Sequence, residues 1–170
     1  MNAPQHAKSY HQRIRAVALT CLSLLLCASA FAEDNLTWDW RYEGDGVSAF
    51  GTLMTSAQPV QGAYYRILSV SGTRNAKRIK QLTADGEAIP LNTGYPVDNL
   101  IALDGSLTGS GFGFETADRQ YVNAYAKQTS NGMTVFEVFT EPASSLFNEQ
   151  SIRFSAHPQN RPRPRQPQRP

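Results

Sequence analysis

Leu36-Thr-Trp-Asp-Trp-Arg-Tyr-Glu43 alternates without a break. Leu36, Trp38, Trp40 and Tyr42 fall on one side of an extended chain, and Thr37, Asp39, Arg41 and Glu43 on the other. Strand side chains repeat with period two, and aromatic residues suit a pleated, half-buried surface. The octapeptide therefore predicts a β-strand that turns its aromatics toward a core. Gly44-Asp-Gly46 supplies a turn, and residues 47–55 make the return strand of a hairpin. The alternation recurs near the other end, where Ile152, Phe154 and Ala156 oppose Ser151, Arg153 and Ser155. These two segments are candidates to pair as first and last strands.

Between them the chain is punctuated at short intervals. Pro59 to Gly62 breaks it, and 63–71, with Tyr64, Tyr65, Ile67, Leu68 and Val70, reads as the next strand. Gly72-Thr-Arg-Asn75 reads as a turn before the basic stretch 77–82, and Asp85-Gly86 turns the chain again. Residues 97–103 are apolar on both faces, as in a central or inter-sheet strand. Gly105, Gly109, Gly111 and Gly113 follow, and so many glycines require turns, bulges or close backbone approach. Further strands are expected at 112–116, 121–127, 133–140 and 151–156. Two segments leave a helix open. Ala117, Tyr121, Ala124 and Tyr125 have helical spacing in a stretch without Gly or Pro, and Pro142 can start a short helix through 145–149. Turn signals every 8–12 residues nonetheless predict an all-β fold, a single antiparallel β-sandwich or a partly open β-barrel.

The chain has 170 residues, and its formal charge of +2 conceals three regions. Residues 1–32 carry +3, residues 33–157 carry −5, and residues 158–170 carry +4. A basic flank with Lys8, Arg13 and Arg15 precedes an apolar run over 16–28 and the small-x-small site Ala30-Phe-Ala32. That order is the pattern of a secretory signal peptide, cleaved after Ala32, and the run is short for a membrane span. A secreted or periplasmic protein, with no transmembrane segment in the mature chain, is expected. Both cysteines, Cys21 and Cys27, fall in the leader, so the 33–157 domain must be held by a buried core alone. The last segment, 158–170, alternates proline and arginine and is expected to be a disordered tail.

Several segments of the body share a pattern. Gly46-Val-Ser-Ala49 with Gly51 and Leu53, the turn Ser71-Gly-Thr-Arg-Asn75, Asp98-Asn-Leu100, and the Gly-rich stretch from Leu103 to Phe114 follow one another in order. Over about residues 42–125 this resembles a secreted bacterial β domain found in proteins that carry the PEP-CTERM surface-sorting signal. The resemblance implies an extracytoplasmic, mostly β protein of uncharacterised function, and it supplies no catalytic residue or ligand. Sorted members finish with a Pro-Glu-Pro motif, a membrane helix and a basic cluster, whereas here Ser155-Ala-His-Pro158 leads into Gln-Asn-Arg-Pro repeats.

The residue inventory narrows the chemistry. His157 is the one histidine outside the leader, which argues against a serine triad or a histidine-ligated metal. No phosphate-loop lysine motif or dinucleotide fingerprint is present, so no nucleotide, no cofactor and no metal is expected. Carboxylates are the remaining acid–base pieces: Asp39, Asp98, Asp104 and Glu115 could serve a glycosidase if two faced each other across a cleft. Asp98-Asn99 reads more simply as a turn-capping pair, and Trp38, Trp40 and Tyr42 as core rather than as a sugar platform. Arg74, Lys77, Arg78 and Lys80 form a basic cluster in an acidic body, and Arg161, Arg163, Arg165 and Arg169 a basic tail. Both are candidate contacts for an anionic polysaccharide or the cell-envelope surface. The function expected is non-catalytic, a binding or surface role with ligand and oligomeric state left open. The alternative is a small carbohydrate-active enzyme using paired carboxylates.

Overall fold

The computed structural model describes residues 35–159, and the expected leader and the arginines of the tail lie outside them. The strands are β1 (Leu36–Gly44), β2 (Val47–Thr55), β3 (Tyr64–Arg74), β4 (Lys77–Leu82), β5 (Leu100–Ala102), β6 (Phe112–Thr116), β7 (Tyr121–Thr129), β8 (Gly132–Glu141) and β9 (Leu146–Pro158). All pairings are antiparallel. Leaving β5 aside, each strand pairs with the next one in sequence, and β9 returns to β1. The result is an eight-stranded up-and-down barrel. Of the arrangements the sequence allowed, the barrel is the one formed; it is closed rather than partly open, and there is no second sheet to make a sandwich. Closure leaves no unpaired edge in the ring. Among the described residues no helix is long and apolar enough to cross a membrane.

Alternation decides which side chains enter the barrel. From β1 come Leu36, Trp38, Trp40 and Tyr42, all buried, while the intervening residues face outward. Phe112 and Phe114 of β6 meet them, with Trp40 5.8 Å from Phe112 in an edge-on contact and 6.0 Å from Phe114. Large aromatics fill a barrel of this strand number side to side. Each contributes about 1.5–3 kcal/mol through removal of apolar surface from water. The paired alternation of β1 and β9 is realised, Trp40 opposite Ala156 and Tyr42 opposite Phe154.

Three expectations are corrected. Gly72-Thr-Arg-Asn75 is not the turn: β3 continues through Arg74, and the chain reverses at Asn75-Ala76, both with positive φ. That two-residue loop matches the twist of the flanking strands. Asn75 also accepts from the Ser48 amide and donates to the Gly46 carbonyl, tying the β3–β4 turn to the β1–β2 turn. Second, the helical spacing near 117–125 is a turn at Ala117 followed by strand, because Val122 and Ala124 point inward and Asn123 and Tyr125 outward on β7. After Pro142 only a three-residue 3-10 turn forms before β9 begins. Third, only Leu100–Ala102 of the apolar 97–103 stretch is a strand, and it lies outside the ring, paired to the start of β3.

That outside strand and the residues after it close the mouth near which β1 begins and β9 ends. Ile101 bridges to Leu107, both buried in the core cluster. Thr108 accepts from the Ala126 amide on β7, and Gly105 packs on the Ala156 carbonyl of β9. Gly111, at φ +63°, sits so close to β7 that a Cβ would lie 1.9 Å from the Ala124 carbonyl oxygen. Gly111→Ala therefore meets both a strained backbone and a collision with main chain that cannot move aside. It is expected to lower the thermal midpoint by about 5–10 °C, whereas Gly94→Ala, where the space is open, should leave it within about 2 °C. Thermal unfolding followed by circular dichroism checks both.

Candidate functional site

After β4 the chain leaves the ring and lies on the outside of β6. Thr83 donates its amide to Gly113, Asn99 donates its side-chain amide to the Thr83 carbonyl, and Val97 rests against Gly113. Two successive turns, Asn92 to the Ile89 carbonyl and Tyr95 to the Asn92 carbonyl, shape the far end of this excursion. They raise Tyr95 and Pro96 as one wall of a groove of ≈ 540 Å³. Phe147 and Glu149 of β9 form part of the remaining lining, with Asn123 and Tyr125 of β7 and Val138 of β8. The volume is that of a small-ligand site.

Alternation builds the floor. Since Val122, Ala124 and Ala126 fill the barrel, Asn123, Tyr125 and Lys127 must project to the outside. The Tyr125 hydroxyl donates to Glu149, and its ring stacks on Phe136 at 6.1 Å. Lys127 lies 3.5 Å from the same Glu149 carboxylate and 5.3 Å over Phe136. Partial burial, then the hydrogen bond and charge of Glu149, push the Tyr125 hydroxyl well above the ordinary tyrosine range, so it keeps its proton. Asn123 is different. It is 2% exposed, and its Oδ1 accepts no hydrogen bond within the protein.

The expected basic cluster is split by the fold. Arg74 points into the barrel, where Nε lies 3.0 Å from Glu137 Oε2 and Nη2 2.6 Å from Oε1, with its guanidinium 4.2 Å over Phe139. Tyr42 donates to Glu137 as well, and Gln150 approaches at 3.4 Å. Burial opposes the Arg74 charge, but the bond and charge of Glu137 outweigh it and raise its pKa. Burial first, and Glu137 next, push the Tyr42 hydroxyl well above its usual range. Lys77, Arg78 and Lys80 stay on the surface, Lys77 3.6 Å from Asp118 and Lys80 3.0 Å from Glu115.

The four candidate carboxylates have separate partners. Asp39, on the outer face of β1, takes the Gln159 side chain, and Asp104 takes the Ser106 amide. Glu115 binds Lys80 and Gln81. Asp98 accepts from Thr108 and the Leu100 amide in the turn-capping role; burial raises its pKa against the pull of those bonds. Asp39 and Glu115 stand on strands half a circuit apart in the ring. Among the described residues no three His, Asp or Glu side chains gather as a metal ion would need.

The groove and Glu137 were not foreseen. One signal was available for Glu137, which shares the inward face of β8 with Val135 and Phe139, an acid on an apolar face. Compared with known proteins, the chain matches no family model, no curated protein and no solved structure. A buried acceptor without a donor costs about 1–3 kcal/mol. Asn123→Leu removes that cost and is expected to raise the thermal midpoint by about 2–6 °C. A fall measured by thermal unfolding would mean that the amide is already satisfied.

Proposed function

We propose that this protein acts outside the cytoplasm, secreted or periplasmic, as a non-catalytic binding protein whose ligand sits in the outer groove. The leader pattern of residues 1–32 supports the location. The observation that carries the binding role is Asn123, an unpartnered amide oxygen at the floor of a groove walled by aromatic side chains. Trp40 Nε1, Asn99 Oδ1 and Thr140 Oγ1 are also buried without a partner, but of these four residues Asn123 is the one that lines the groove, where a ligand can complete it. The interior offers little room for a ligand, because Trp38, Tyr42, Phe112 and Phe114 are fully buried within it. The separate partners of Asp39, Asp98, Asp104 and Glu115 favour binding over carboxylate catalysis.

A ligand that binds only the folded state raises the unfolding midpoint in proportion to the logarithm of its concentration over Kd. Thermal unfolding of the 33–170 protein against a set of sugars, amino acids, aromatic acids and amines should show at least one class that raises the midpoint by about 2 °C or more. Phe147→Ala, which removes one wall, should abolish that rise. A midpoint indifferent to every class, or an equal rise in the variant, contradicts the reading.

A further inference from the structure

We infer that the groove takes a neutral saccharide, with one ring against Tyr95 and Phe147 and a hydroxyl donating to Asn123 Oδ1. This rests on the groove being the ligand site and specifies its chemistry.

Charge is the first constraint. Lys127 and Glu149 are the ionised side chains of the groove, and they lie 3.5 Å apart. Glu149 also accepts the Tyr125 hydroxyl, and Lys127 covers Phe136. An anionic ligand would have to pull Lys127 from its carboxylate, and a cationic one would compete with both Lys127 and Tyr125 for Glu149. Each exchange gives up an existing interaction for a new one of similar strength. A neutral ligand makes neither exchange.

Hydrogen-bonding capacity is the second. Asn123 Oδ1 is an acceptor, so its partner must bring an O–H or N–H. Asn92 and Ser110 line the groove from two other segments and offer further amide and hydroxyl groups. Polar groups thus come from the floor and from two separate stretches of wall, an arrangement suited to a ligand with several hydroxyls around its periphery. A flat heterocycle with a single ring N–H has one donor to share among these groups.

The third constraint is apolar. Tyr95 is 71% exposed and Phe147 49% exposed, large aromatic surface left in water beside the groove. The electron-rich face of an aromatic ring accepts the polarised C–H groups on one face of a pyranose, while the sugar hydroxyls stay free at the edge. A purely alkyl ligand would satisfy the walls and leave Asn123 unpaired.

Nuclear magnetic resonance titration of the isotopically labelled 33–170 protein separates the outcomes. The probes are neutral β-linked and α-linked gluco-oligosaccharides and N-acetylglucosamine oligomers, with theophylline as a planar N–H heterocycle and inorganic phosphate as an anion. At least one oligosaccharide is expected to shift the Asn123 side-chain amide and the Tyr95 and Phe147 ring signals saturably. Its affinity should fall about tenfold or more in Asn123→Leu and in Tyr95→Ala, and stay unchanged in Asn131→Ala on the exposed β7–β8 turn. If only theophylline or phosphate moves the groove signals, the saccharide assignment falls and the groove remains a binding site. Silence from every probe overturns both. A saccharide affinity that survives Asn123→Leu overturns the assignment, because binding then lies elsewhere.

Discussion

The bidentate pair between Arg74 and Glu137 is the constraint on which the barrel depends. Arg74 comes from β3 and Glu137 from β8, and these strands stand half a circuit apart in the eight-stranded ring. The pair therefore crosses the barrel rather than running along one wall. Tyr42 from β1 and Gln150 from β9 donate to the same carboxylate, and Phe139 covers the guanidinium. Two charges taken from water cost several kcal/mol each, and only close, fully hydrogen-bonded geometry offsets that cost. Here both carboxylate oxygens are engaged, so the geometry tolerates little change in the spacing of the strands that carry it. Gln150 and Glu137 lie on the inward side of the strands that present Glu149 and Val138 to the groove. The brace and the site share their backbone.

This arrangement explains why the candidate site is on the outside. Eight strands enclose a volume that side chains can fill, and here tryptophan, tyrosine and phenylalanine fill it. One mouth is covered by the segment that holds Ile101 and Leu107. The candidate groove arises where the excursion after β4 stands away from the outer face of β7 to β9; a second concavity of ≈ 500 Å³, lined by Asp39, Arg41, Phe50 and His157 among others, has no such loop wall. The walls of the groove come from residues 92–96 and from β9, far apart in sequence, and they are positioned by a rigid sheet on one side and a doubly turned loop on the other. Binding residues on a loop supported by a stiff scaffold are a general solution, because the scaffold carries the stability and the loop the specificity.

The sequence disclosed the local features and concealed the long-range ones. Strict alternation at 36–43 and at 151–156 gave strand and inward face, because period two is a local property, and made the two segments candidates for the pairing that forms. Asp98 was legible for the same reason, since it caps the Leu100 amide two positions on, whereas Asn99 reaches the Thr83 carbonyl 16 positions back and does not cap its own turn. Arg74 was misplaced because Gly72 looks like a turn residue, whereas the strand passes through it and reverses at Asn75. A basic run at a hairpin end suggests a solvated patch. The partner that draws Arg74 inward is 63 positions away, beyond any local pattern. The groove has the same character, depending on which distant segments meet.

The most direct measurement is a double-mutant cycle on the brace by chemical denaturation, using Arg74→Met, Glu137→Leu and the pair together. Removing one partner strands a buried charge, so each single change is expected to cost about 3–5 kcal/mol. The double change removes both charges and should cost clearly less than the two single losses combined, leaving a coupling energy of at least about 2 kcal/mol. Single changes that cost under about 1 kcal/mol, or losses that simply add, would contradict a barrel braced through its interior by this pair.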